Sequence, residues 1–156
     1  MPVFKWFVVV ACSIFWLPLV QADGHENPGQ EKSNLELIVT NAYMPAVPSV
    51  SRTAAVYLKL KNTSQSKVVL TGVSTSIAKH AMFHQTIESE GLVKMKHLSN
   101  LEIHSGDTIE FSPGGMHIML MGLQLISNQD TFKLNLIFEN QASHTIEVNV
   151  RSSAHQ

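Results

Sequence analysis

The sequence predicts an all-β sandwich, and three observations favour this fold class. Apolar side chains alternate with polar ones beyond residue 34, and a period of two is typical of strands with one buried face. Turn-forming residues interrupt this pattern at short intervals, which is typical of a sandwich built from many short strands. No long helical period, internal repeat or low-complexity tract competes with this interpretation.

Nine segments carry the alternation and are the predicted strands. The first contains Leu35, Leu37 and Val39, and the second alternates inward and outward positions from residue 55 to residue 60. The others are rich in β-branched, aromatic and long apolar residues, as strands are; they span 68–73, 83–87, 93–98, 108–111, 116–123, 132–138 and 145–150. Polar or Gly/Pro-containing breaks separate them at 62–64, 90–91, 105–107, 113–115, 127–130 and 140–141.

Residues 1–22 are predicted to be a secretory signal peptide. Lys5 is their only charge, residues 6–20 are almost continuously apolar, and Val20 and Ala22 supply small residues before a cleavage site. A retained membrane anchor is the alternative, but the apolar run is shorter than the ~20 residues that a spanning helix needs. A lipoprotein signal at Cys12 is a weaker alternative, because the apolar region before that cysteine is short. We therefore expect a periplasmic protein without stable membrane insertion.

Cleavage after Ala22 would leave 134 of the 156 residues, a size typical of one domain. Residues 23–33 are polar and contain glycine and proline, so they are predicted to form a mobile N-terminal arm. A single β-sandwich domain is expected to occupy residues 34–151, and residues 152–156 are expected to form a short C-terminal tail.

The composition of the mature chain excludes several classes of protein. Cys12 is the single cysteine and is lost with the leader, which excludes a CxxC metallochaperone of the cytosolic type and a thiolate-ligated blue-copper carrier. Loss of Lys5 leaves ten of the eleven basic residues against twelve acidic ones. No basic patch is present, so we expect neither nucleic acid nor an anionic membrane surface as partner.

Two potential metal donors, His117 and Met119, lie two residues apart in an apolar run after Gly115. On a strand such residues point to the same face. A thioether is a soft donor that suits Cu(I) better than magnesium or calcium. For this segment alone, the alternative is that both are ordinary core residues, since methionine packs readily into cores.

The spacing of further donors favours the metal-binding interpretation. His84, ten residues, Met95, twenty-one residues and then His117-x-Met119 resembles the periplasmic PCu(A)C copper chaperones, whose Cu(I) site is written His-x10-Met-x21-His-x-Met. The segments 90–95, 101–103 and 113–115 also fit, and the resemblance covers most of the chain after the leader.

The resemblance implies a cupredoxin-like Greek-key β-sandwich that binds Cu(I) through His84, Met95, His117 and Met119. It also implies delivery of copper to the Cu(A) centre of cytochrome c oxidase subunit II, or to another copper acceptor, often beside a thiol-disulfide partner protein. Such a protein takes part in cytochrome c oxidase assembly and copper homeostasis.

The sequence departs from the family pattern near the first histidine. Met82 stands where the family commonly carries a glutamate, and it shares a predicted strand face with His84. Met121 likewise shares a face with Met119, so Met82 and Met121 are additional candidate ligands. The interpretation favoured for His80, His97 and His104 is that they are exposed histidines.

A second metal site is predicted at the mature N-terminus. If cleavage follows Ala22, the protein begins Asp23-Gly24-His25. A free amine, two deprotonable amides and an imidazole at the third position can surround Cu(II) with four nitrogen donors in a plane. The alternative is that His25 holds this position by coincidence.

A periplasmic Cu(I) chaperone is the leading function, and copper sequestration or tolerance without a dedicated acceptor is the alternative. Catalysis is disfavoured because no carboxylate pair, activated nucleophile or cofactor loop accompanies the ligands, so the protein is not expected to be an enzyme. A fourth class is an adhesion or interaction sandwich in which the His/Met pattern is accidental.

Overall fold

A computed structural model describes residues 36–89, 91–124 and 131–152, and this part of the chain is all-β. Both the leader and the N-terminal arm, with Asp23, Gly24 and His25, lie outside the described residues. Within the described residues, no helix is both long and apolar enough to span a membrane. The ten strands are β1 (Leu37–Pro45), β2 (Thr53–Asn62), β3 (Val68–Thr75), β4 (Ala78–Ser89), β5 (Leu92–Leu98), β6 (Leu101–Ile103), β7 (Thr108–Phe111), β8 (Met116–Leu123), β9 (Thr131–Phe138) and β10 (His144–Arg151).

The strands form one hydrogen-bonded series in the order β5-β4-β8-β7-β2-β1-β10-β9-β3-β6, with an additional pairing of β8 with β2. Residues from both halves of this series, such as Phe83 of β4 and Leu70 of β3, belong to one buried apolar cluster. The sheet therefore folds over itself and encloses a single core, as a sandwich does. The predicted fold class is confirmed.

The period of two in the sequence corresponds to burial on alternate residues. In β2, Val56, Leu58 and Leu60 are buried, whereas Lys59 and Lys61 are exposed. Strand β9 follows the same alternation. Since apolar burial is the main favourable term in folding, this alternation fixes which face of β2 and of β9 is turned away from the core.

The structure differs from the predicted strands mainly at three places. Strand β4 begins at Ala78, well before the predicted start at residue 83. Strand β6 was not predicted, because its three residues are too few to show a period; it pairs with β3 at one end of the series. Strand β1 continues past residue 39, since Asn41 adopts a positive φ of 53° where the register shifts. Asparagine tolerates this conformation, and beyond it Tyr43 pairs with Asn149 of β10.

Candidate metal centre

The outward faces of β5, β4 and β8 form one surface, which we call the donor face. Phe83 of β4 and Ile118 of β8 are buried in the core, so the residues on either side of them point outward. Strand β5 pairs with β4, and residues paired across a ladder lie on the same face. The donor face thus carries eight potential copper donors: His80, Met82, His84, Met95, His97, His117, Met119 and Met121.

Three imidazoles form a row across the donor face. His84 of β4 pairs with His117 of β8 on one side and with His97 of β5 on the other. The ring centroids of His84 and His117 are 5.9 Å apart, and those of His84 and His97 are 5.7 Å apart. Both pairs are edge to face, with an interplanar angle of 89°. His84 is therefore the central group of the row.

The thioethers flank this row on both sides. Met119 pairs with Met82, next to the imidazole row on the side towards Met121. Met95 pairs with Thr86, next to the row on the opposite side, towards the turn between β4 and β5. Two consecutive outward pairs of the β4–β8 ladder are therefore Met82 with Met119 and His84 with His117. Met95 lies on the neighbouring strand β5.

The imidazole of His117 is oriented by the turn that precedes β8. Its Nδ1 atom lies 3.2 Å from the carbonyl oxygen of Gly115. A carbonyl only accepts hydrogen bonds, so Nδ1 carries the proton and Nε2 of the neutral ring keeps its lone pair. A second ring nitrogen held by a carbonyl is the usual arrangement of a metal-binding histidine.

Two imidazole nitrogens of the donor face are buried without a hydrogen-bond partner among the described residues. They are Nε2 of His117 and Nδ1 of His84. Unpaired buried polar atoms are uncommon in folded proteins and call for a physical explanation. Coordination of a metal ion by these lone pairs would satisfy both atoms, so the donor set fits a soft metal.

The backbone of residues 112–115 positions the carbonyl that orients His117. The amide of Gly115 donates to the carbonyl of Ser112 at 3.0 Å, and the amide of Ser112 donates to the carbonyl of Met116 at 2.8 Å. Gly114 has a φ of 79°, a conformation that favours glycine. The amide of Thr86 donates to the Gly115 carbonyl at 3.1 Å. The same carbonyl therefore ties β4 to the turn and orients His117.

The electrostatic environment of His84 favours the neutral form of its imidazole. Burial lowers the pKa of His84 below its ordinary value, and the positive charge that His117 and His97 would carry lowers this pKa further. Neutral imidazole is the form that coordinates a metal. Among the described residues, no three His, Cys, Asp or Glu side chains lie close enough together to hold a metal ion.

Exposure to solvent differs sharply between β8 and β5, the two strands that flank β4 on the donor face. His117 of β8 is only 5% exposed, whereas Met95 of β5 is 59% exposed. Every residue of β5 before Leu98 is exposed, including His97 and the lysines on either side of Met95, Lys94 and Lys96. The potential copper donors thus lie on strands that range from the buried β8 to the exposed edge strand β5.

The structure brings all six predicted Cu(I) candidates to the donor face: His84, Met95, His117, Met119, Met82 and Met121. His80 and His97 are exposed, as predicted, and the sequence does not show that His97 lies beside His84. The period-two relation of His97 to Met95 is visible in the sequence, but its pairing with His84 depends on the register of the hairpin. His104, which follows β6 at the far end of the strand order, is exposed as predicted.

A family model described as "LpqE-like: Putative lipoprotein LpqE-like" matches residues 37–150. Two curated relatives are "Putative lipoprotein Lxx21020" of Leifsonia xyli, 33% identical over 100 residues, and the uncharacterized protein RP573 of Rickettsia prowazekii, 29% identical over 99 residues. These matches cover 64% and 62% of this chain, but only 58% and 55% of the relatives. The family model and the Leifsonia xyli relative are both named as putative lipoproteins.

Solved structures of PCuAC domains share the fold. A copper-bound PCuAC domain from PmoF2 aligns with a TM-score of 0.62 at 17% identity, covering 76% of this chain and 95% of that domain. Apo-DR1885 of Deinococcus radiodurans aligns with a TM-score of 0.59 at 26% identity, covering 94% and 97%. The Cu(I) form of DR1885 gives 0.60 at 27% identity, covering 81% and 84%. The resemblance to the PCu(A)C proteins is confirmed.

Proposed function

Because the chain belongs to the LpqE-like family, and because its fold is that of PCuAC domains, we propose that it is an exported Cu(I) chaperone. One observation carries this proposal: buried nitrogens of His84 and His117, without a hydrogen-bond partner among the described residues, lie beside thioethers on a single face. The Cu(I) form of DR1885 supports Cu(I) as the ligand.

We assign His84, Met95, His117 and Met119 as the Cu(I) ligands. The free Nε2 of His117 and the central position of His84 support the two imidazoles, and the four-point spacing supports the two methionines. Met82 lies directly opposite Met119 and competes with Met95 for the fourth position. Met121 lies one outward pair further away, opposite His80, and is the weaker additional candidate.

This donor set suits transport of Cu(I) rather than catalysis. Two imidazoles and two thioethers are neutral, and without an anionic donor they favour Cu(I) over Cu(II). Release to a thiolate acceptor is favourable, because thiolate is a stronger soft ligand than thioether. The site therefore holds copper without trapping it, and the protein carries the metal as cargo.

The periplasm is the proposed compartment, reached through the signal peptide of residues 1–22. Cytochrome c oxidase subunit II, at its Cu(A) centre, is the proposed acceptor, with a thiol-disulfide protein as a possible copper partner. Sequestration of copper without an acceptor is the second candidate function, since the same ligands would serve it. Transfer of copper to an acceptor protein distinguishes a chaperone from a sequestration protein.

Anaerobic titration with Cu(I) followed by X-ray absorption tests the ligand assignment. We expect one tightly bound Cu(I) with both nitrogen and sulfur neighbours. A spectrum with only nitrogen and oxygen neighbours would contradict the assignment. Replacing Met82, Met95 or Met121 by leucine, one at a time, shows which thioether completes the set, since leucine nearly conserves volume.

Transfer is tested by mixing the Cu(I)-loaded protein with the purified Cu(A) domain of subunit II. A chaperone loses its copper to this domain, and the rate rises with acceptor concentration. A sequestration protein retains its copper under the same conditions. A thiol chelator in place of the domain serves as the control, because it removes Cu(I) from either kind of protein.

A further inference from the structure

We propose that His97 is a metal-binding residue: with His84 and Met95 it forms an outer Cu(I) position at the sheet edge, through which copper leaves the protein. The proposal rests on the Cu(I) function argued above and adds to it a donor and a route. It concerns a histidine that the four-point spacing does not include.

The geometry gives His97 the same relation to His84 that His117 has. The ring of His97 is 5.7 Å from that of His84, compared with 5.9 Å for His117, and both contacts have an interplanar angle of 89°. His84 is thus placed to share its copper with either neighbour. On the β5 side the partner thioether is Met95, two residues from His97 and on the same face.

No structural role accounts for the position of His97. Within the described residues, its side chain has neither an ion pair nor a hydrogen bond, and it is exposed. An exposed imidazole that meets another imidazole edge to face contributes little to folding. Its lone pair remains free to coordinate a metal.

The position of β5 explains why this outer set would lie on the route of exit. Strand β5 is at the end of the strand order, whereas β8 is paired on both sides, with β4 and with β2. A ligand from another protein can approach Met95, which is 59% exposed, far more easily than His117, which is 5% exposed. Stepwise exchange from His117 to His97 would bring Cu(I) to the surface while His84 stays bound.

The equilibrium test combines two substitutions with a matched control. His117→Ala removes the inner imidazole, and we expect Cu(I) to remain bound through His84, His97 and Met95. Adding His97→Ala should weaken binding at least about tenfold further, equivalent to about 1.4 kcal/mol. Adding His104→Ala instead, an exposed histidine at the far end of the strand order, should change nothing. Affinities are measured by anaerobic competition with bathocuproine disulfonate.

Equal affinities of the His117→Ala protein and of the double variant with His97→Ala would overturn the outer position. Since His117 is buried, its variant is first checked by circular dichroism. If it does not fold, the wild-type protein decides the question. Its His97 ring signals, followed by NMR during Cu(I) titration, should shift while those of His104 stay in place, and an unshifted His97 overturns the proposal.

The exit route is tested by measuring the rate at which excess chelator removes Cu(I). His97→Ala should slow removal several-fold, and His104→Ala should leave the rate at the wild-type value. Equal rates in the two variants would overturn the exit role. A wild-type protein that binds no Cu(I) would overturn the proposed function itself, whereas binding without any effect of His97 overturns only this inference.

Discussion

Strands β5 and β8 flank β4 and carry the same two donors in opposite order, Met95-x-His97 and His117-x-Met119. Their environments differ completely, because β8 is an interior strand and β5 is an edge strand. His117 is buried and oriented by a carbonyl, whereas His97 is exposed and has no such contact. We therefore expect the position of a strand in the sheet, and not its donors alone, to decide whether a ligand pair retains a metal or exchanges it.

The largest expected difference between the two strands is in stability. Leu120 of β8 is fully buried, so Leu120→Ala should lower the free energy of unfolding by about 2–5 kcal/mol. Val93 of β5 is 69% exposed, and Val93→Ala should change it by less than about 0.5 kcal/mol. Urea unfolding of the apo proteins measures both values. Similar losses would mean that β5 is as firmly packed as β8.

Copper affinity should show the next largest difference. Met119→Leu keeps the approximate volume and should leave folding intact, while Cu(I) affinity falls about tenfold or more, a loss of about 1.4 kcal/mol or more. Met95→Leu should weaken binding less, because Met82 lies opposite Met119 and can replace the lost thioether. Chelator competition measures both. Loss of folding together with binding in Met119→Leu would favour the alternative that this methionine is purely a core residue.

The row of imidazoles should make both stability and binding depend on pH. The pKa of His84 is lowered in the folded protein, so the unfolded chain binds more protons near the ordinary imidazole value of ~6.5. The contribution of His84 to stability is therefore complete above that pH and declines as the pH falls below it. Apo His84→Gln should lose less stability between about pH 7.5 and about pH 5.5 than the wild type does. An equal loss would contradict a lowered pKa.

Cu(I) affinity should also fall over this range, since protons compete with the metal for imidazole nitrogens. Thioethers do not titrate there. An affinity that stays constant from about pH 7.5 to about pH 5.5 would indicate that methionines alone bind the metal, with Met82 and Met121 completing the set.

Oxidation offers a smaller and more selective contrast. Methionine sulfoxide forms most readily at exposed thioethers, so mild peroxide should modify Met95, which is 59% exposed, before the partly buried Met119. Peptide mass spectrometry follows both residues in time. The apo protein is used for this comparison, because Cu(I) would itself react with peroxide. Faster oxidation of Met119 than of Met95 would contradict the expected order.

The N-terminal Cu(II) site should affect neither strand. Protein processed to begin Asp23-Gly24-His25 should bind a second copper, as Cu(II), with a visible band typical of four nitrogen donors. His25→Ala should abolish this band and leave Cu(I) affinity at the donor face unchanged. A cytosolic version with an added methionine serves as the control. A mature N-terminus other than Asp23, found by mass spectrometry, removes the site.

Much of the fold could be predicted because strands such as β2 and β9 show their own burial pattern. The alternation around Leu58 and Leu134 is local information, and it is preserved in the structure. Strand β6 has only three residues, and the continuation of β1 depends on an irregular Asn41. Neither feature leaves a period that a sequence can display.

The candidate site likewise has some features that the sequence shows and others that only the structure shows. The spacing from His84 to Met119 is a property of the sequence, and the common face of His117 and Met119 follows from strand geometry. Register between strands is not local. The opposition of His97 to His84, and of Met82 to Met119, arises from how β5 and β8 align with β4, which no pattern within one strand determines.

Lys94 and Lys96, which alternate with Met95 and His97 along β5, have a consequence for how copies of the protein meet. The outer backbone of an edge strand is a template for pairing with another chain, and lysines on that strand oppose such pairing. Two copies approaching edge to edge would bring like charges together before their backbones could join. Self-association at high concentration is therefore discouraged along β5, and its side chains stay available to proteins of different charge.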